Sequence, residues 1–388
     1  MSKQIEPGSW PFRLTDQEEV RAMRLHRDSV IVDMLNQHPG GSNIFDCYDP
    51  ILIQRMINNL ESGMRGMAQA IQLPYELAVD GISDLIRDWW DISGITVGTL
   101  HIPMGSKQHM EGPLKGYFDL AVFLKNIPWL RLITTVDDIR DAKRQNIHAL
   151  YGYWQPVYGL ANNLEDVDSA YEQGLRMLML TYNRMDYVGS GCTERVDAGL
   201  SSFGIDLVRH CNELGIIVDT SHCGTRTTLD ACSYSKAPVF ANHTVAKGVY
   251  EHARGKSDEE LKAIAASGGV IGVVTVPAFL GLDPSIETVL DHIDYIIKTV
   301  GWQHVGIGTD SPMQSPKSVI EETLGTIKYE IGFRPEDNIK PSLSLPGFDD
   351  CRDMPNITRG LVSRGYSDEQ IKGILGENFL RVFGEVCG

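Results

Sequence analysis

The chain has 388 residues, 42% hydrophobic and 22% charged, a composition typical of globular proteins with enough apolar material for a large core. Its formal net charge of −16 and pI near 5.1 argue against nucleic-acid or anionic-membrane partners, because a phosphate surface would repel it. The N-terminus lacks the apolar run of a signal peptide, and no window approaches about 18 uninterrupted apolar residues. The seven cysteines are odd in number and contain no C-x-x-C pair, which is typical of reduced thiols. We therefore expect a soluble, cytoplasmic protein.

Eight short apolar runs alternate along the chain with longer amphipathic segments. Runs that are apolar on nearly every residue indicate strands buried on both faces, as in a parallel sheet covered by helices. Eight such units predict a closed (β/α)8 barrel, with an open doubly wound sheet as the alternative. The glycine-rich nucleotide turn of the open sheet is absent after the first run, where residues 33–37 read DMLNQ. The eight runs are 29–35, 96–102, 147–154, 177–182, 216–222, 238–243, 270–276 and 305–310.

Helical patterns fill the connections between these runs. Residues 200–214 predict a helix that ends at the glycine cap Gly215, and 257–266 predict one that opens at Ser257. The insertion 43–91 has apolar residues at helical spacing and predicts helices packed on the barrel, with a lid or an interface as the alternative. The tail 356–386 predicts two helices separated at 365–367. We expect residues 1–388 to form one domain.

Polar residues stand at the carboxyl ends of three runs, where a (β/α)8 barrel assembles its active site. The fifth run ends in His222, the sixth in His243 and the eighth in Asp310. Neutral imidazoles from neighbouring strands are suitable zinc ligands, and a nearby carboxylate can take a proton from metal-bound water. Arg254 follows the sixth run, where its guanidinium can hold a substrate carboxylate; a solvated surface arginine is the alternative.

Several segments resemble the membrane (renal) dipeptidase family, a branch of the metal-dependent amidohydrolase superfamily. Residues 199–204, GLSSFG, are similar to the family's GLTxFG, and 212–222, NELGIIVDTSH, to its NxLGxxxDxSH. Arg254 lies in a context like the HxRN segment, 268–272 resemble the GGxIG strand, and 375–381 resemble the LGxNxxR ending. The resemblance extends over nearly the whole chain.

The resemblance implies a barrel enzyme with two zinc ions bridged by a glutamate, a His-x-Asp pair on the first strand and one histidine each on strands five and six. His222 and His243 match the last two ligands. Arg254 matches the arginine that holds the substrate carboxylate, and Asp310 matches the aspartate that handles the proton.

Three other family positions differ in this chain. Residues 35–37, LNQ, stand in place of His-x-Asp, Gln155 stands in place of the bridging glutamate, and Tyr182 in place of a histidine after strand four. Leucine cannot ligate a metal and glutamine offers only a neutral amide oxygen. We therefore expect no dinuclear zinc centre, and at most one zinc ion, held by His222 and His243 with Gln155.

Aromatic residues surround the altered positions. Tyr153 and Trp154 precede Gln155, and together with Tyr182 they predict an aromatic-lined, substrate-binding cavity that would suit a flat ring; core packing is the alternative reading. A phenol at Tyr182 can donate a hydrogen bond to an oxyanion or act as an acid.

The sequence supports three hypotheses about function. The first is an enzyme that acts on a small carboxylate-bearing, amino-acid-derived or aromatic substrate by acid/base chemistry of Asp310, His222, His243 and Tyr182, without the dinuclear zinc centre. The second is a single-metal dipeptidase or amidohydrolase, and the third is a catalytically silent binding protein. The expected partner is a small molecule, and a homodimer is common in this family.

Overall fold

The computed structural model describes residues 6–36, 83–101, 124, 127–155, 162–310, 328–329, 331–337, 339 and 345–388. Most of the predicted insertion 43–91 lies outside these residues, as does Gln37. The part of the insertion that is described, Ser83–Ser93, is a helix, as the sequence predicts.

A parallel sheet forms the centre of the molecule, and each of its described strands is short. The main path runs β1-β3-β4-β5-β6-β8-β9, with every neighbouring pair parallel. The described strands are Val97–His101 (β1), Leu130–Ile133 (β2), His148–Trp154 (β3), Leu175–Met179 (β4), Ile217–Asp219 (β5), Val239–Ala246 (β6), Gly255–Lys256 (β7), Ile271–Val273 (β8) and Val305–Ile307 (β9).

The first apolar run closes this sheet into a barrel. Val32 bridges to Val97 on β1, and Asp33 bridges to Ile307 on β9, both in parallel orientation. The amide of Asp33 donates to the Val97 carbonyl at 2.9 Å, and the amide of Met34 donates to the Ile307 carbonyl at 2.8 Å. The predicted barrel is therefore confirmed, and the open doubly wound sheet is excluded, because the first run joins both edges of the sheet.

Side chains of the strands divide into two buried layers. Tyr151, Tyr153, Met177 and Met179 belong to one hydrophobic cluster, which fills the barrel and extends to the C-terminal helix. Their sequence neighbours, such as Leu150 and Leu178, belong to a second cluster between the sheet and the surrounding helices. Successive side chains of a strand point to opposite faces. Both faces of these strands are buried and apolar, so the sequence shows no alternation of polar and apolar residues.

Helices cover the outside of the barrel and account for the connections. The predicted helix at 200–214 spans Ser202–Leu214, with Ser201 as its N-cap and Gly215 in the left-handed region at φ 78°. The described α-helices are Asp16–Asp28 (α1), Ser83–Ser93 (α2), Val136–Gln145 (α3), Glu165–Glu172 (α4), Ser202–Leu214 (α5), Thr225–Tyr234 (α6), Asp258–Ala266 (α7), Pro277–Leu280 (α8), Ile286–Val300 (α9), Met354–Ser363 (α10), Asp368–Lys372 (α11) and Asn378–Cys387 (α12).

Local capping explains where several helices begin. Ser257 forms a capping box with Glu260 at the start of α7, as its position in the sequence predicts. In the predicted C-terminal pair, Ser367 caps α11 together with Gln370, and a π-helical segment Gly373–Glu377 joins α11 to α12. None of the described helices has the length and apolar character needed to cross a membrane.

Two short strands, β2 and β7, do not correspond to predicted runs. β2 and β4 both lie along the same edge of β3. β2 pairs with the first residues of β3, from His148 to Tyr151, and β4 pairs with the last, from Gly152 to Trp154. β7 has only two residues and pairs with the extended end of β6, Val245 with Gly255 and Ala246 with Lys256. β7 matters for the site because it begins directly after Arg254.

Close packing inside the barrel leads to a first prediction, on Gly272 in β8. A Cβ at this position would lie 1.9 Å from the Asn242 carbonyl oxygen and 2.6 Å from Met34 Cε. We expect Gly272→Ala to lower the free energy of unfolding by about 1–3 kcal/mol or more, because a backbone atom would have to move. Urea denaturation measures this as a lower midpoint at an unchanged m value.

The matched control is Gly281→Ala. A Cβ there would meet only Thr288 Cγ2 at 3.9 Å, and the glycine has an extended φ of 162°. Equal midpoints for the two variants would contradict the packing argument.

Candidate active site

Three neighbouring strands bring Tyr182, His222 and His243 together. His222 lies just beyond β5, His243 lies within β6, and Tyr182 follows β4. The rings of Tyr182 and His222 stack with centroids 4.0 Å apart and planes at 19°. His222 Nε2 lies 2.9 Å from His243 Nε2, and both imidazoles are buried.

Two asparagines hold the other nitrogen of each imidazole. His222 Nδ1 lies 2.7 Å from Asn183 Oδ1, and His243 Nδ1 lies 2.5 Å from Asn242 Oδ1. An amide oxygen only accepts hydrogen bonds, so each Nδ1 must donate. In a neutral ring the proton is then on Nδ1, and Nε2 carries a lone pair.

Backbone carbonyls fix the orientation of both amides. Asn183 Nδ2 donates to the Ile331 carbonyl at 2.9 Å, and Asn242 Nδ2 donates to the Met34 carbonyl at 3.1 Å. A flipped amide would place its oxygen against a carbonyl oxygen, which is repulsive. The tautomers therefore follow from the hydrogen-bond network rather than from the imidazoles themselves.

The two Nε2 atoms thus direct lone pairs toward each other. Such a pair is stabilised by a cation between the nitrogens, either a shared proton or a metal ion. Burial holds the pKa of His222 well below its ordinary value, and the charges of Arg254 and Lys256 lower it further, which disfavours the proton on His222.

Arg254 lies against the same two histidines and is 1% exposed. Its Nη1 donates to the carbonyl of Ser221 and its Nη2 to the carbonyl of His243, at 3.1 Å for the latter. Its Nε is buried and finds no hydrogen-bond partner among the described residues. A guanidinium has five N–H groups, and the hydrogen bonds to described residues use two of them.

Gln155 stands at the end of β3 with a similar deficiency. Its Oε1 is buried and has no donor within the described part of the chain. By alternation, Gln155 shares its face of β3 with Tyr153 and Tyr151, which point into the barrel. A buried acceptor without a donor destabilises the folded protein by about 1–3 kcal/mol. A water molecule or a substrate N–H bound at this oxygen would remove that cost.

The structure separates the two other aromatic residues of the predicted cavity. Tyr153 lies inside the barrel, where its hydroxyl donates to Asp219 Oδ2 at 2.8 Å. Trp154 points to the opposite face and packs in the outer cluster with Leu150 and Leu178. Trp154 is therefore not brought to His222 and His243, in contrast to the expectation from sequence, because adjacent residues of a strand point in opposite directions.

Asp310 lies after β9 with its backbone in the left-handed region, at φ 50°. Its amide donates to the Leu35 carbonyl at 2.8 Å, which fixes the turn against the first run of the barrel. Burial and the charge of Asp310 raise the pKa of Tyr182, although Arg254 opposes the shift. Tyr182 is thus a protonated donor at neutral pH that shares the site with Asp310 and Arg254.

Two buried carboxylates support the site from the barrel interior, and sequence reasoning assigned neither a role. Asp219 accepts from Ser221 Oγ at 2.7 Å, from the Asn242 amide at 2.8 Å and from Tyr153. Asp33 accepts from the amide and hydroxyl of Thr309 at 2.8 and 2.6 Å. Burial raises the pKa of both, to about 7 for Asp33, whose shift the charge of Asp310 increases.

His222 and His243 supply the imidazole nitrogens that a metal ion would use. Across the described ranges, no group of three or more His, Cys, Asp or Glu side chains is arranged to hold a metal. Two imidazole nitrogens at Zn–N distances near 2.05 Å with tetrahedral angles would be about 3.3 Å apart, a few tenths of an ångström more than the observed 2.9 Å. The spacing of His222 and His243 is thus close to the spacing that one ion requires, whereas Leu35 and Gln155 carry no charge that would offset a second.

The asparagine contacts lead to a prediction about the ring nitrogens. In 15N spectra of histidine-labelled protein without added metal, we expect both His222 and His243 as Nδ1–H tautomers. Asn183→Leu should remove the fixed tautomer of His222 and leave His243 unchanged, because Asn242 still holds it. A ring in the unsubstituted protein with no proton on Nδ1 would contradict the assignment, whether or not the two Nε2 atoms share a proton.

Comparisons with known proteins agree with this architecture. Dipeptidase verJ of Clonostachys rogersoniana is 29% identical over 233 residues, which is 59% of this chain and 53% of that protein. An uncharacterized dipeptidase of Schizosaccharomyces pombe is 30% identical over 267 residues, 66% of this chain and 57% of that protein. The chain thus spans a little over half the length of these curated relatives.

A solved structure extends the likeness to the whole fold. The probable dipeptidase PvdM from Pseudomonas aeruginosa has a TM-score of 0.70 at 20% identity, with 96% of this chain and 99% of that chain covered. The family model of the membrane dipeptidases matches residues 101–321 and 341–387, more than half of the chain. The chain therefore belongs to the membrane dipeptidase family, peptidase family M19.

Proposed function

We propose that this protein hydrolyses an amide bond, such as that of a dipeptide, in a small carboxylate-bearing, amino-acid-derived substrate, at a site that holds one metal ion. The observation that carries the proposal is the approach of His222 Nε2 to His243 Nε2 at 2.9 Å, with both Nδ1 atoms committed to asparagine oxygens. Family membership supports hydrolysis as the reaction class.

In this proposal each remaining side chain has one task. A zinc ion on the two imidazoles would supply a water of lowered pKa. Asp310 would act as the proton acceptor in the hydrolysis, and Tyr182 would donate a hydrogen bond to the developing oxyanion. Arg254 would hold the substrate carboxylate through Nε–H and the free Nη hydrogens, and Gln155 would accept from a substrate N–H.

A second candidate is acid/base chemistry without a metal. The 2.9 Å between His222 Nε2 and His243 Nε2 favours it, because this is a hydrogen-bond distance and is shorter than the roughly 3.3 Å expected across a zinc ion. In this case a proton shared by His222 and His243 takes the place of the ion, and Asp310 with Tyr182 forms the acid/base set.

Metal content separates the two candidates. We expect protein purified without chelators to bind one equivalent of zinc, and the double variant His222→Ala, His243→Ala to bind none, because both protein nitrogens are lost. Metal analysis after dialysis measures the stoichiometry. His304→Ala is the control, since His304 bonds to the Gly269 carbonyl away from this site and should leave the zinc content unchanged.

The possible results point to different functions. Metal-free protein that remains active on any substrate would exclude the hydrolytic proposal and favour the acid/base candidate. Two bound equivalents would contradict the single-ion site. Protein that binds a carboxylate ligand and shows no turnover with or without zinc would indicate a binding protein.

Recognition of the substrate carboxylate gives a separate prediction. We expect kcat/KM for a dipeptide to exceed that for its C-terminal amide by about 30-fold or more, because hydrogen bonds to a charged group contribute about 1.5–3 kcal/mol. Arg254→Lys should reduce this ratio severalfold, since lysine keeps the charge and loses the planar fork. Steady-state kinetics on the two substrates measures it.

Arg364→Lys provides the matched control. Arg364 bonds to Asp291, Asp294 and Glu287 on the outer helices, so its replacement should leave the ratio unchanged. Equal dipeptide-to-amide ratios in the unsubstituted protein and in Arg254→Lys would show that the Arg254 guanidinium does not recognise the substrate carboxylate.

A further inference from the structure

A buried ion pair lies directly behind the candidate site. Lys256 Nζ lies 3.1 Å from Glu260 Oε1, and both side chains are 1% exposed. Lysine and glutamate are almost never fully buried unless they are paired, so the position is unusual for both. The family resemblance does not include either residue.

Every hydrogen-bonding group of the Lys256 ammonium has a partner. Its three N–H groups reach Glu260, the Cys223 carbonyl at 3.0 Å and Thr228 Oγ1 at 2.7 Å. Glu260 Oε2 in turn accepts from the amide and hydroxyl of Ser257, each at 2.9 Å. Burial alone would raise the pKa of Glu260, but Lys256 and these donors outweigh it and hold the pKa below its usual value.

The ammonium completes a set of contacts to three consecutive carbonyls around His222. Arg254 Nη1 donates to the carbonyl of Ser221, and the amide of Cys192 donates to the carbonyl of His222 at 2.7 Å. Lys256 then donates to the carbonyl of Cys223. Two buried cations, two residues apart in the chain, thus hold the backbone on both sides of His222.

Strand β7 makes these two contacts depend on each other. Lys256 is the second residue of β7, and its backbone is paired with Ala246 at the end of β6. Arg254 immediately precedes β7, so a shift of Lys256 along the strand moves Arg254 with it. The segment 254–256 therefore joins the loop that carries His222 to the strand that carries His243.

A buried ion pair can fix the position of its neighbours without adding to the stability of the fold. Removing two charges from water costs several kcal/mol per ion, and apolar replacement of a whole buried pair is often neutral or stabilising. Lys256 and Glu260 together bond to five atoms outside the pair, which belong to Cys223, Thr228, Ser257 and Thr225, so the pair is suited to fixing geometry.

We propose that Lys256, neutralised by Glu260, is a positioning residue that sets the distance between the His222 imidazole and the Arg254 guanidinium. Without this contact the loop after β5 and the segment before β7 can shift relative to each other. Arg254 would then no longer hold the substrate carboxylate at the distance from His222 that places the scissile bond for reaction. The kinetic part of this proposal rests on the proposed function.

The test uses the full chain with the apolar double variant Lys256→Met, Glu260→Leu. We expect it to fold, to keep one equivalent of zinc and to lose at least tenfold in the dipeptide-to-amide ratio of kcat/KM. Both 15N signals of the His222 ring should shift, while the Nδ1 signal of His243, whose Asn242 contact is untouched, should stay. The single variant Lys256→Arg should keep part of the dipeptide-to-amide ratio of kcat/KM, because a guanidinium can still donate to the Cys223 carbonyl.

The control removes a partly buried ion pair between two outer helices. Arg359 and Glu19 join α10 to α1. Arg359→Met, Glu19→Leu should lower the melting temperature without a change in the substrate ratio or in the His222 signals. If both double variants alter the ratio equally, Lys256 is only a structural residue and the proposal is overturned.

The outcomes separate this proposal from the proposed function. If the unsubstituted protein hydrolyses no dipeptide, the proposed function is wrong. The His222 ring signals alone then test whether Lys256 positions His222. Unchanged ring signals and an unchanged ratio in the double variant overturn the positioning role. If the double variant does not fold, the near-isosteric Glu260→Gln decides, with a severalfold loss in the ratio expected and no loss overturning the proposal.

Discussion

The orientation of two asparagine side chains determines the chemistry that the site can support. Asn183 and Asn242 present only their oxygens to the imidazoles, because the Ile331 and Met34 carbonyls occupy their amide nitrogens. Both histidines must therefore direct Nε2 at each other in the neutral state. Partners that fix the tautomer of a ligating histidine typically change metal affinity by about 10–100-fold when they are lost. The two asparagines thus leave Nε2 as the nitrogen of each histidine that can meet a cation.

The barrel itself could be predicted from sequence because its signal is repeated eight times. Runs of Val, Ile and Leu mark the strands, and the residues that end them, His222 and His243, meet because parallel strands end on the same side of a barrel. The weak elements could not be predicted in this way. β2 has Arg131 at its centre and β7 consists of Gly255 and Lys256, so neither shows an apolar run.

The contacts within the site were less accessible to sequence reasoning than its location. Asn183 and Asn242 are residue types common in loops and caps, and nothing local distinguishes a histidine partner from a turn residue. Lys256 is buried against the usual preference of lysine, which only the fold reveals. The position of Trp154 could have been found, because Tyr153 and Gln155 flank it on a strand and must share the opposite face. Both faces of β3 are buried, however, so no polar residue signals which face points inward.

Charge is the physical argument for proposing one cation at this site and not two. Arg254 and Lys256 already place two positive charges beside His222, and only Lys256 has a buried carboxylate of its own in Glu260. Two unit charges about 4 Å apart interact by roughly 4 kcal/mol at an effective dielectric of about 20, so each added cation raises the cost. The family offsets its second ion with carboxylate ligands, and here Gln155 is neutral. The carboxylates that remain near the histidines, Asp219 and Asp310, can balance one ion or one shared proton, which is the choice that metal analysis decides.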